Sequence, residues 1–203
     1  MSEAATPVGQ LLPYRPKGVK EETTAFIGMV IFLGSWAMMF AALFFVYGGV
    51  RARAGTWPPV DLPALPLWLP LANTLVIALS SAALQYGLFS VQRAKVKALG
   101  PALLWALLLG ALFLGLQTLL WASLWAEGLT MKAGGAYASV FYGLTALHAL
   151  HVLVGLAGIG RVCARAFGGE FSAARYLPVR LWAMYWHFVG VVWALMFVSI
   201  FVM

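Results

Sequence analysis

The chain has 203 residues, 63% of them hydrophobic and only 9% charged, with a net charge of +7. Soluble domains carry roughly 25% charged residues, so this composition excludes an ordinary soluble fold. A nucleic-acid partner would need the basic excess gathered into a patch, and here it is dealt out between apolar blocks.

Residues 1–22 form a polar tail with Pro7, Pro13 and Pro16 and the basic residues Arg15, Lys17 and Lys20. The tail does not read as a cleaved signal, because the apolar run that follows is longer than a signal's apolar core. Five stretches without Asp, Glu, Lys or Arg come next: Thr23–Val50, Leu62–Gln92, Ala98–Ala126, Ala133–Gly160 and Leu181–Met203. Each exceeds the roughly 20 residues a helix needs to cross the hydrocarbon layer. None alternates apolar with polar as membrane barrel strands do. Lipid also offers backbone groups no hydrogen bond, which leaves helices. The sequence therefore predicts an all-α integral membrane bundle of five transmembrane helices over about 24–49, 66–91, 99–126, 136–160 and 181–203, within a single domain 23–203.

The first connection, Arg51–Pro66, holds Trp57-Pro58-Pro59 and then Pro63 and Pro66. Proline fixes φ and removes a donor, so this is a stiff non-helical crossing. The second connection is short and carries Arg93, Lys95 and Lys97; the third, Glu127–Gly135, is also short and carries Lys132. The fourth, Arg161–Arg180, is the longest and carries Arg161, Arg165, Arg175 and Arg180. The tail, second and fourth connections thus hold ten basic residues on one side, against Arg51, Arg53 and Lys132 on the other. The bias toward positive cytoplasmic loops places the N-terminus in the cytoplasm and the C-terminus outside. The lone Cys163 has no partner for a disulfide and reads as a packing residue.

Small residues four apart, at Ala78/Ala82, Ala106/Gly110, Ala111/Gly115 and Gly190/Ala194, would let helices approach closely. Trp57, Trp68, Trp125, Trp182 and Trp186 lie near span ends, where an indole can sit at headgroup level. Asn73, Ser80, Ser81, Gln85, Gln117, Thr145, His148, His151 and His187 lie within spans and should face other helices, since unpaired polar groups at that depth are costly. His148 and His151 share one helix face. Together with His187 they could supply haem or metal ligands. With no carboxylate in any span, interhelical hydrogen bonding is the simpler reading. No phosphate loop, nucleophile triad or zinc spacing is present, and no enzyme active site is expected in this chain. Paired Gly/Pro interruptions of the kind that mark transporter sites are missing too.

Four segments together resemble subunit III of haem-copper oxidases, in its short five-helix form. They are Trp57-Pro58-Pro59 with Asn73-Thr74 and Ser80-Ser81; Gln117 with Glu127; Thr145 through His148 and His151; and Trp186-His187 through Trp193. The resemblance implies an accessory subunit without haem or copper of its own, those centres lying in partner subunits. It would pack against catalytic subunit I and other oxidase subunits, hold phospholipid, and support proton uptake and stability. On that reading all these motif residues, the three histidines included, are structural. Three positions depart from the family pattern by lacking a carboxylate: Trp36, Leu120 and Gly190. An accessory role in a nitric oxide reductase and a free-standing haem or metal protein built on His148, His151 and His187 are the alternatives. The short form and the Ala/Leu/Gly-rich composition imply a bacterial cytoplasmic membrane.

Overall fold

A computed structural model of the chain describes residues 17–57, 59, 62–63 and 65–202; Pro58 lies outside them. The helices are α1 Lys17–Arg53, α2 Trp68–Gln92, α3 Leu99–Ala126, α4 Gly135–Phe167 and α5 Leu177–Phe197, the last running into a π turn over Val198–Val202. All five are long and apolar enough to cross a membrane. No strand occurs among the described residues beyond an isolated bridge between Ser172 and Arg175. The expected five-helix membrane bundle is the observed fold.

The helices overrun the charge-free stretches. α1 starts at Lys17 and ends at Arg53, α4 continues past Arg161 and Arg165 to Phe167, and α5 begins before Arg180. Long basic side chains can extend their heads toward the interface while their stems lie along apolar surface. A charge therefore limits the hydrocarbon-facing part of a helix and not the helix itself. The stops come from the backbone. Gly128 and Gly169 adopt positive φ after α3 and α4. The amide of the following residue then bonds five residues back, Leu129 to Leu124 and Glu170 to Arg165, so the terminal carbonyls are paired. α2 ends the same way with Ala94 at φ 62, a conformation in which a side chain is strained.

α1 is peripheral. Ile31, Met38 and Phe45 are 68, 77 and 84% exposed, while Phe40 and Tyr47 are buried. It is tied at both ends to α5. The Arg180 guanidinium lies 5.0 Å from the Phe26 ring centre, and the Tyr47 hydroxyl donates to the Ser199 carbonyl at 2.8 Å. The two helices thus run in the same direction.

The centre of the bundle is Trp186 on α5, fully buried. Its ring lies between two glycines of neighbouring helices. A Cβ added at Gly110 of α3 or Gly155 of α4 would come within 2.8 Å of the indole. Its Nε1–H donates to Ser80 Oγ of α2 at 3.1 Å, and Ser80 donates on to the Ala106 carbonyl of α3 at 2.7 Å. One side chain therefore joins α2, α3, α4 and α5. This corrects the expectation that Trp186 sits near a span end at headgroup level: α5 begins at Leu177, before the charge-free stretch, and the ring faces inward opposite Ser80, midway along α2. Of the four small-residue pairs, Ala106/Gly110 lies at this crossing, whereas Ala78, Ala82, Ala111 and Ala194 are exposed.

Candidate functional site

Asn73, Ser80, Gln117, Thr145, His148 and His151 are all 3% exposed or less, and most are paired across helices. Asn73 Nδ2 of α2 donates to Gln117 Oε1 of α3 at 3.3 Å. Trp193 of α5 donates to Thr74 Oγ1 of α2 at 3.0 Å, and Thr74 donates to the Pro70 carbonyl. Trp121 of α3 donates to Thr145 Oγ1 of α4 at 3.2 Å, and Thr145 donates to the Phe141 carbonyl at 2.8 Å. Each hydroxyl accepts a hydrogen bond from an indole N–H of another helix and donates its own to a backbone carbonyl. In lipid, where helices gain little by hiding apolar surface from one another, such bonds and close packing hold the bundle.

The three histidines have different surroundings. His187 Nε2–H donates to Gln85 Oε1 of α2 at 2.9 Å. His151 Nδ1–H donates to the Leu147 carbonyl at 2.7 Å, and its own carbonyl accepts from Tyr185 at 3.0 Å. Its Nε2 has no partner among the described residues. His148 has none at either ring nitrogen. Its ring is caged by Phe113, Trp193 and Phe40 at centre distances of 5.9, 5.6 and 6.4 Å.

This arrangement does not fit a haem held by two imidazoles. His187 is turned to α2 and engaged there, and the rings around His148 fill the space a porphyrin would need. No group of three or more His, Cys, Asp or Glu among the described residues is placed to hold a metal. Chemically, the assembled side chains can position helices against one another.

The other motif residues lie at the margins. Trp57 is half-buried, its ring 5.6 Å from Tyr47 and 4.7 Å from Tyr137; Pro59 is half-buried beside it. Glu127 caps the end of α3 and is exposed. Ser81 is half-buried, and its Oγ lies 3.5 Å from where a Gly190 Cβ would stand. The two line an open groove of about 290 Å³ between α2 and α5. Of the three positions that lack a carboxylate, Gly190 thus has room for a larger side chain. Leu120 is fully buried among Leu124, Phe141 and their neighbours. Trp36 lies 4.0 Å from His151, ring centre to ring centre, at an interplanar angle of 83°.

The sequence singled out neither Gly155 nor Trp121, which complete these contacts. Gly155 and Gly158, three apart on α4, were the available signal, since a Cβ at either would meet an α5 tryptophan.

The histidine environments predict opposite responses to the same change. His148→Leu removes a buried polar ring that has no partner, so stability should hold or rise. His187→Leu strands Gln85 and should cost about 1–2 kcal/mol. Thermal unfolding of the two purified variants checks this; a larger loss for His148→Leu would mean that its ring nitrogens are bonded in the membrane.

The model of the family cytochrome c oxidase subunit III matches residues 16–203. A probable cytochrome c oxidase subunit 3 of Nocardia farcinica is 34% identical over 202 residues, covering 99% of this chain and 98% of the relative. Cytochrome c oxidase subunit 3 of Thermostichus vulcanus is 30% identical over 181 residues, covering 87% and 86%. That of Oryctolagus cuniculus is 33% identical over 180 residues, covering 86% of this chain and 67% of the relative.

Proposed function

This chain belongs to the cytochrome c oxidase subunit III family, and from that membership we propose that it is the non-catalytic third subunit of a respiratory haem-copper oxidase, seated against catalytic subunit I in a bacterial cytoplasmic membrane. The observation that carries the reading is the family match across residues 16–203, joined to a core whose polar groups are largely spent on holding helices together. Electron transfer and oxygen reduction then belong to partner subunits that carry the haem and copper. The relatives' names favour an oxidase over a nitric oxide reductase.

The basic residues support an orientation. Arg93, Lys95 and Lys97 follow α2, and Arg175 and Arg180 precede or open α5. Together with the N-terminal tail they put the N-terminus in the cytoplasm and the C-terminus outside. The apolar outer face of α1, with Ile31, Met38 and Phe45 exposed, suits lipid or a partner helix. The same outward apolar surface supports bound phospholipid as part of the assembly.

Solubilisation in mild detergent and affinity capture of this chain test the proposal. A haem-bearing subunit should co-purify, with a Soret band that leaves when that subunit is stripped away. A chain that emerges alone would remove the oxidase assignment, and a Soret band retained by the lone chain would revive the histidine-ligand reading.

A further inference from the structure

α2 and α5 lie side by side, and an open groove of about 290 Å³ runs between their outward edges. Ala78 and Ser81 of α2 form one wall, and His187, Gly190 and Ala194 of α5 form the other. The groove carries hydrogen-bonding groups that the chain itself does not use. Ser81 is half-buried, and its hydroxyl has no partner among the described residues. Hydroxyls elsewhere on the outer surface of the spans bond back to their own helix: Ser35 donates to the Phe32 carbonyl, Thr118 to that of Gly115 and Ser139 to that of Gly135. His187 adds a second group. Its Nε2–H is committed to Gln85 Oε1, which leaves its Nδ1 as an acceptor and Gln85 Nε2 as a donor, neither paired among the described residues.

Ser81, Gln85 and His187 all stand inside charge-free stretches, where lipid offers no hydrogen bond and an unpaired polar group is costly. The rest of the outer surface is different. Leu75 and Leu79 of α2 and Leu104 and Leu108 of α3 are exposed, and such large apolar side chains match acyl chains. The groove walls instead are low. Ala78 and Ala194 are exposed, and a Cβ added at Gly190 would find only the Ser81 Oγ within 4 Å, at 3.5 Å. Walls of this kind let the backbone of another helix come close.

We propose that a transmembrane helix of the haem-bearing catalytic subunit lies along this groove, its backbone close to Gly190 and Ala194 and a polar side chain of its own paired with Ser81 and the His187–Gln85 pair. A protein helix is the occupant because it can complete these hydrogen bonds at span depth, whereas an acyl chain has no group to offer them. The inference rests on the accessory-subunit reading, which seats the chain against that subunit; what it adds is the face of contact.

The test uses the assembled complex in mild detergent, with a benzophenone side chain placed at position 194 in the groove or at position 111, exposed on α3. Irradiation should couple this chain to the haem-bearing subunit from position 194 and not from position 111. Gly190→Leu fills the groove and should cut the haem-bearing subunit recovered with the chain roughly tenfold, the effect of overpacking a close contact, whereas Ala111→Leu leaves recovery unchanged. Ser81→Ala should lower recovery roughly two- to threefold, as for one interhelical hydrogen bond in a membrane. Thr118→Ala, whose hydroxyl is already bonded to its own helix, should not. Position 190 has room for a side chain, so the Gly190→Leu chain should keep its own thermal midpoint; if it unfolds, the coupling from position 194 still decides. Coupling there only to phospholipid, to a second copy of this chain or to a subunit without haem overturns the proposal. So does a folded Gly190→Leu chain that recovers the haem-bearing subunit as the wild type does. Each of these results leaves the accessory-subunit reading standing, whereas a wild-type chain that recovers no haem-bearing subunit defeats that reading and the inference with it.

Discussion

Trp186→Ala is expected to lower the thermal midpoint of the purified protein by on the order of 10 °C, given that emptying a buried tryptophan site costs about 3–5 kcal/mol and that each kcal/mol is worth about 2–4 °C in a chain of this size. Trp186→Phe should cost far less. It gives up the bond to Ser80 but keeps an aromatic ring between Gly110 and Gly155, and an interhelical hydrogen bond in a membrane averages about 0.6 kcal/mol. The Ser80 hydroxyl also keeps its bond to the Ala106 carbonyl, so no polar group is left stranded. The difference between the two variants separates packing from hydrogen bonding at one position. The glycines provide the complementary test. Gly155→Ala pushes a methyl to within 2.8 Å of the indole and should destabilise by overpacking, about 1–3 kcal/mol. In a Trp186→Phe background, with the ring system smaller, that loss should shrink. Additive losses in the double variant would show that the glycine and the indole do not oppose each other, and the four-helix hub would be wrong.

The same residue marks the boundary of what could be read from the sequence. The spans were legible because lipid demands it: a charge-free block of sufficient length has one economical backbone solution. The helix ends were not, because Arg161, Arg165 and Arg180 are compatible with helix beyond the hydrocarbon layer, and the stops at Gly128, Gly169 and Ala94 depend on local backbone geometry. Facing was the harder matter. In a soluble helix the apolar stripe identifies the buried side; in these helices both sides are apolar, so Trp186 in the core and the exposed Trp125 carry the same sequence signal. Polar residues were the better guide to the interior, yet their pairing needed the register between helices. Nothing local in the chain joins Asn73 to Gln117, or Trp186 to Ser80.

Trp36→Glu should be tolerated, and tolerated only while His151 is present. A carboxyl at the depth of a span centre costs about 2.5–3.5 kcal/mol on insertion scales when it finds no partner. Position 36 offers one. The indole there lies against the His151 ring at 4.0 Å. The His151 Nδ1 proton is committed to the Leu147 carbonyl, and Nε2 is the ring's remaining site, buried and without a partner among the described residues. The introduced carboxyl, when protonated, can donate to that nitrogen, or the proton can cross to the ring and leave a pair of opposite charges; both states satisfy both groups. In a His151→Leu background neither is available, and the carboxyl is stranded beside an aliphatic chain. Thermal midpoints of the two single variants and the double should therefore be non-additive, with a coupling of about 1–3 kcal/mol, as for groups in direct contact. Trp36→Phe, which removes the same indole without adding a proton carrier, should show no comparable dependence on His151. If the Glu and Phe variants behave alike, the introduced carboxyl and His151 do not share a proton, and the absence of a carboxylate at this position reflects packing of α1 against α4. If the coupling is found, the proton uptake of the assembled complex is the next quantity to compare. A change in uptake with Trp36→Glu would mean that a carboxyl beside His151 can take part in a proton route of the complex. Unchanged uptake would mean that no such route passes position 36.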